Sequence, residues 1–232
     1  PKVFSNEVRT LALKANGSVW HWGGNGETPT PLLVNNLANV VDISGRYAVK
    51  SDGTVWDLGS ATILDRPVQV SGLANVKAIA AGYIHFLALK NDGTVWAGGD
   101  NQFGQLGLGS FAIGDFPPTP IPGLTGVKSI AAFGLQSMVV KLDGSVWAWG
   151  DNRQGTMLPG VAPESCDGTS CYTSPRQVQG LSGIVKAVTG WADHLALKSD
   201  GTMWRWGKFF QNTALQQNYP TPSIIPIPVP ND

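Results

Sequence analysis

The strongest constraint on the fold is a ten-residue segment that recurs five times. It reads LALKANGSVW at 11–20, YAVKSDGTVW at 47–56, LALKNDGTVW at 87–96, MVVKLDGSVW at 138–147 and LALKSDGTMW at 195–204. Each copy is an apolar strand, then Asn-Gly or Asp-Gly, then a second apolar strand. Those dipeptides supply the positive φ angles of a tight hairpin turn. The turn glycines Gly17, Gly53, Gly93, Gly144 and Gly201 are 36, 40, 51 and 57 residues apart. The growth comes from loops after the second strand, around 100–117 and 151–175, and added loop length costs little entropy. Repeats of this size stack into one continuous core.

A second element recurs in phase with the first. The runs 31–37, 67–73, 118–124 and 175–181 share Pro, then Val or Ile three residues on, then Leu six on. Proline belongs at a sheet edge or strand start, so this is the outer strand of each unit. A strand such as Val76–Ala81 follows, and then the hairpin. One repeat therefore reads as four short antiparallel strands, one blade of a propeller. In Leu87-Ala88-Leu89 large and small residues alternate, as a strand between two neighbouring blades requires. Trp20 and Trp22, Trp147 and Trp149, and Trp204 and Trp206 are two apart, hence on one face of a strand, and are expected to pack between blades.

Asp-Gly-Thr/Ser-Val-Trp-x-x-Gly, preceded by Ile-Ala-Ala-Gly-x-x-His-x-Leu-Ala-Leu and followed by Asn-x-x-Gly-Gln-Leu-Gly-x-Gly, resembles the repeat of the RCC1 (regulator of chromosome condensation) family. The fullest copy runs from Ile79 to Leu89 and on to Asn101–Gly109. The resemblance covers nearly the whole chain and implies an all-β, RCC1-like β-propeller with five four-stranded blades in a single domain, 1–232. Family rings usually have seven blades, so a partial array of a six- or seven-bladed ring is the alternative. The Gln-Leu-Gly element has one strong copy and an echo at Asn152–Gly155. The family histidine is His85 alone, with Arg9, Gly45, Gln136 and Asp193 at the matching positions, which reads as local structural bonding. The chain opens in phase with an inner strand and closes with an edge strand, so the last strand is expected to pair into the first blade. The Pro-rich stretch 218–232 is that closing strand, or a junction to further domains of a longer chain.

Composition narrows the function. Net charge is zero and only 14% of residues are charged, against about 25% in an average domain. That disfavours nucleic acid, whose grip needs many cations, and a polybasic membrane surface. No apolar run approaches the roughly 20 residues of a membrane span. No phosphate loop, His-Glu-x-x-His or Gly-x-Ser-x-Gly occurs. His21, His85 and His194 fall at unequal repeat positions, so neither a metal site nor a catalytic triad is expected, and no cofactor. Asp52, Asp92, Asp143 and Asp200 are accounted for by the turns. Cys166 and Cys171 lie in a polar, turn-rich insertion. A disulfide there is expected, adding roughly 2 kcal/mol and placing the protein outside the reducing cytoplasm.

The loops before the hairpin strands carry the functional expectation. Gly82–His85, Phe133–Gln136 and Gly190–Asp193 correspond, and should converge at one end of the ring. Their side chains Tyr83, Ile84, Phe133, Leu135, Trp191 and Asp193 form a candidate partner-binding face, since aromatic anchors suit protein recognition. Secreted RCC1-like inhibitors of β-lactamases are similar in carrying aromatics in this loop class. The leading expectation is a non-catalytic, extracytoplasmic protein-binding module. The alternatives are a structural repeat in a larger surface protein or filament, a carbohydrate-binding propeller with tryptophan platforms, and guanine-nucleotide exchange by family analogy. The last is disfavoured by the neutral charge.

Overall fold

The computed structural model describes residues 1–5, 9–23, 30–59, 67–211 and 215–225. They form five antiparallel sheets in chain order, each one blade. Blade 1 holds β1 (Lys2–Ser5), β2 (Arg9–Leu13), β3 (Val19–Gly23) and β4 (Leu32–Leu33). Blade 2 holds β5 (Val40–Ser44), β6 (Tyr47–Lys50), β7 (Val55–Asp57) and β8 (Val68–Gln69). Blade 3 holds β9 (Val76–Ala81), β10 (His85–Lys90), β11 (Val95–Asn101) and β12 (Ala112–Pro120). Blade 4 holds β13 (Val127–Phe133), β14 (Gln136–Lys141), β15 (Val146–Asp151), β16 (Glu164–Cys166) and β17 (Thr169–Gln177). Blade 5 holds β18 (Ile184–Thr189), β19 (Asp193–Lys198), β20 (Met203–Gln211) and β21 (Leu215–Ile225).

The repeated decapeptide is the central hairpin of every blade. In blade 2 the Asp52 carboxylate accepts from Thr54 N at 2.9 Å and Thr54 Oγ1 at 2.6 Å, and Trp56 Nε1 donates to Thr54 Oγ1 at 2.9 Å. The repeat lysine covers the same indole: Lys50 Nζ lies 5.1 Å from the Trp56 ring and Lys90 Nζ 4.0 Å from the Trp96 ring. The turn bonds hold the carboxyls of Asp52, Asp92, Asp143 and Asp200 below the usual range. The turn also clasps the next blade: Gly53 O accepts from Val76 N, Gly93 O from Val127 N and Gly144 O from Ile184 N. At Gly144 (φ 80°) a Cβ would come within 2.8 Å of Gly183 backbone, so both the angle and the clasp demand glycine.

Packing runs in one direction. The face carrying Leu11 and Leu13 in blade 1, and its counterpart in blades 2 to 4, meets the opposite face and inner strand of the next blade. Leu11 and Leu13 pack with Ile43 and Ala48, and Tyr47 and Val49 with Ile79 and Ala88. The paired indoles divide their roles. Trp149 and Trp206 are fully buried between blades, donating from Nε1 to Gln105 O and Met157 O of the preceding blade. Trp147 and Trp204 are half-buried against their own hairpins, and Trp22 is half-buried as well.

Two expectations need correction. Blade 4 has five strands, because the 151–175 insertion folds back as the hairpin β16–β17. The Cys166–Cys171 disulfide closes that hairpin. The last strand does not exchange into blade 1: β21 pairs with β20, and blade 1 is completed by its own β4. Residues 218–225 are thus the outer strand of blade 5, and 226–232 lie outside the described residues.

Among the described residues, blade 5 makes no packing against blade 1 comparable to that between successive blades. Val3 is 66% exposed, whereas Ile43 and Ile79 at the matching position are 0% and 2% exposed. Leu197 is 38% exposed and its counterpart Leu89 1%. A Cβ at Gly201, in the blade 5 hairpin turn, would meet nothing within 4 Å.

Candidate functional site

The inner strands β9, β13 and β18 each lead into a short loop at the same end of the ring. In blade 3 Gly82 N donates to His85 O, in blade 5 Gly190 N to Asp193 O, and Tyr83 N crosses to Gly134 O of blade 4 at 2.8 Å. That crossing bond brings the Tyr83 ring 5.7 Å from Phe133, and Trp191 stands 6.4 Å from Tyr83. All three rings are exposed. Three blades thus deliver one solvent-facing aromatic cluster.

Beside it the ring axis opens into a cavity of about 790 Å³. Its wall includes Phe4, Arg46, Tyr47, Tyr83, Ile84, Asp100, Ile113, Asp115 and Phe133, drawn from blades 1 to 4. Leu135 is half-buried and contributes its carbonyl, which accepts from Asp151 N, not a ring contact. Asp193 is half-buried and turned onto its own loop at Gly190. Of the six face residues expected, Tyr83 meets both Phe133 and Trp191, Ile84 lines the cavity, Leu135 lines a small pocket with Phe133 and Trp191, and Asp193 is turned onto its own loop. Exposed Ile113 and Asp115, and the Arg46–Asp57 ion pair at 2.8 Å, had no signal of their own beyond the long 100–117 insertion.

Beneath the loops lie buried polar chains that join blades. Ser137 Oγ donates to Gln105 O at 2.8 Å and accepts from His85 Nε2 at 2.9 Å. Thr189 Oγ1 donates to Gln136 Oε1 at 2.7 Å and accepts from His194 Nδ1 at 3.0 Å. Burial pushes His85 down to about 4 and His194 down to about 3. Both are neutral at physiological pH. His85 and Gln136, at matching repeat positions, therefore do the same inter-blade job. The Asn152 echo is equally functional in the fold: Asn101 Oδ1 accepts from Leu106 N at 3.0 Å and Asn152 Oδ1 from Met157 N at 3.1 Å.

Arg46 illustrates the electrostatics of the rim. Burial works against its charge, but Tyr47 and Asp57 outweigh that and raise its pKa. Its guanidinium carbon lies 5.3 Å from the Tyr47 ring centre. Among the described residues no three His, Cys, Asp or Glu side chains are grouped to hold a metal ion, and no helix is long and apolar enough to cross a membrane.

Comparison with known proteins accords with this architecture. The family pattern "Regulator of chromosome condensation (RCC1) repeat" matches residues 76–105 and, in a second form, 92–139. A human probable E3 ubiquitin-protein ligase, HERC6, is 31% identical over 160 residues, covering 65% of this chain and 15% of that protein. The ultraviolet-B receptor UVR8 of Arabidopsis thaliana is 31% identical over 139 residues, covering 57% of this chain and 30% of the receptor. The crystal structure of Prp20p from Saccharomyces cerevisiae superposes with a TM-score of 0.81 at 21% identity, over 98% of this chain and 63% of that one. Human WBSCR16 gives 0.79 at 20% identity, over 97% and 67%. The chain spans under a third of these two curated relatives' length and under two thirds of Prp20p. With recurring hairpins, five blades in chain order and these likenesses, the chain is an RCC1-repeat β-propeller.

Proposed function

We propose that this propeller is a non-catalytic, extracytoplasmic protein-binding module that engages its partner through the loop face built on Tyr83, Phe133 and Trp191. The observation that carries the reading is the meeting of three exposed rings from three successive blades. A soluble surface seldom leaves such large apolar rings clustered in water unless a partner covers them. The Prp20p structure is described with that protein's binding to Gsp1p and histones, and a second structure has Kap60 bound to yeast RCC1. Protein recognition by this fold is therefore a sound starting point, while the ligase and receptor activities belong to relatives of which this chain spans a small part. The Cys166–Cys171 disulfide supports the compartment, since such bonds persist where glutathione does not reduce them.

The test is affinity capture from the native source with three baits: the intact chain, Tyr83→Ala/Trp191→Ala, and Leu142→Ala in the exposed hairpin turn of blade 4. The double variant should lose a partner that the other two retain. Equal recovery by all three would remove this face from consideration. Thiol titration of the chain purified from its source tests the compartment: two free thiols would place it elsewhere.

A further inference from the structure

The loop face already holds two arginines, each in the same way. Arg46 lies over the Tyr47 ring at 5.3 Å and pairs with Asp57 at 2.8 Å. Arg153 lies over the Phe103 ring at 4.7 Å and donates to Asp151 from Nε at 2.9 Å and Nη2 at 2.8 Å. A flat, weakly hydrated cation on an aromatic face with a carboxylate at its fork is a favourable combination.

The axial cavity has the same ingredients, and the one cation in its wall among the described residues, Arg46, is already paired with Asp57. The Tyr83 and Phe133 rings form part of its wall, with Asp100 and Asp115 beside them. Asp100 Oδ1 accepts from Gln102 N at 2.8 Å and Gln105 Nε2 at 3.0 Å, while Oδ2 has one long contact, 3.5 Å from Gly114 N. The Asp115 carboxylate is exposed and makes no side-chain hydrogen bond or ion pair among the described residues, although its charge helps to raise the Arg46 pKa. Arg46 also lines the cavity, but Asp57 already occupies it. His85, buried in the wall, is neutral and adds no competing charge.

We propose that this cavity receives an arginine side chain of the bound protein, its guanidinium over the Tyr83–Phe133 rings and its fork on Asp100 and Asp115. This rests on the protein-binding reading and adds the chemistry of what enters. Arginine fits better than lysine because two carboxylates and a ring face call for a planar, multi-donor cation, not a compact, strongly hydrated one. At about 790 Å³ the cavity has ample room for one such side chain.

The probe is the peptide acetyl-Ser-Gly-Arg-Gly-Ser-amide, titrated into the intact chain by NMR, beside peptides with lysine or citrulline in place of arginine. The arginine peptide should shift Tyr83 and Phe133 resonances and bind at least tenfold more tightly than the citrulline peptide. Asp115→Asn should weaken it several-fold, and Asp100→Asn/Asp115→Asn at least tenfold, while Leu142→Ala leaves it unchanged. The Asp115 side chain makes no internal hydrogen bond, so its variant separates binding from folding. Equal binding of citrulline, an unaffected Asp115→Asn, or shifts confined to other residues would overturn the assignment. If that happens while Tyr83→Ala/Trp191→Ala still abolishes partner capture, the arginine assignment fails and the protein-binding face stands.

Discussion

Leu89 and Leu197 occupy the same repeat position, so truncating each to alanine tests the one-way packing directly. Leu89 is 1% exposed under blade 4, and Leu197 is 38% exposed at the end of blade 5. Leu89→Ala removes a fully buried side chain and leaves a cavity, a cost of about 3–4 kcal/mol. Leu197→Ala removes a partly wet side chain whose space water can refill, and should cost about 1 kcal/mol. For a chain of this size that corresponds to a fall in Tm of roughly 6–16 °C against roughly 2–4 °C. Urea unfolding followed by tryptophan fluorescence supplies the free energies, and a scanning thermal melt the midpoints. Equal losses would refute the reasoning, because they would mean that the Leu-x-Leu face of blade 5 is covered in solution as well as that of blade 3.

Further outcomes follow from other features. Gly144→Ala and Gly201→Ala both force alanine to positive φ, but only at Gly144 does a neighbouring blade stand 2.8 Å away. Gly144→Ala should therefore melt several degrees lower than Gly201→Ala, and identical melting would remove the clasp from the account. His85 and His194 resist protonation in the fold, at about 4 and about 3. The unfolded chain takes up protons from about pH 6.5 downward, so stability falls as pH drops below that value, by about 2 kcal/mol per histidine at pH 5. The urea midpoint should fall between pH 7 and 5, and His85→Gln, which copies Gln136, should remove about half of the fall; a flat midpoint would contradict the burial argument. Reducing Cys166–Cys171 should cost about 2 kcal/mol by loop entropy, with faster amide exchange concentrated in β16 and β17. Exchange rising equally in blade 1 would show that the bond acts on more than its own hairpin.

The hairpins were legible because their chemistry is local. Asp-Gly-Thr fixes the turn, the threonine fixes the indole, and the lysine covers it, all within a few residues. The outer prolines marked the edge strands for the same reason. Convergence of Tyr83, Phe133 and Trp191 was legible because their loops keep one register before equivalent strands. Asp193 shared that register as well, yet it opens β19 and its carboxylate turns onto Gly190, a direction the repeat pattern does not encode. Ile113 and Asp115 sit in an insertion, which has no counterpart to align with. The uncovered sides of blades 1 and 5 were invisible: Leu195-Ala196-Leu197 reads the same as Leu87-Ala88-Leu89, and only the neighbour differs.

Because every clasp runs from one hairpin tip to the start of the next unit, the five blades behave as a short zipper with two loose ends. Opening should begin at blade 1 or blade 5, each of which leans on one companion among the described residues, and reach blades 3 and 4 last. The aromatic cluster straddles blades 3, 4 and 5, so its third member, Trp191, is anchored on a loose end while Tyr83 and Phe133 stand on the firmest part of the array. A ligand that bridges Trp191 to Tyr83 would therefore act as a staple, slowing the fraying of blade 5 without touching its core.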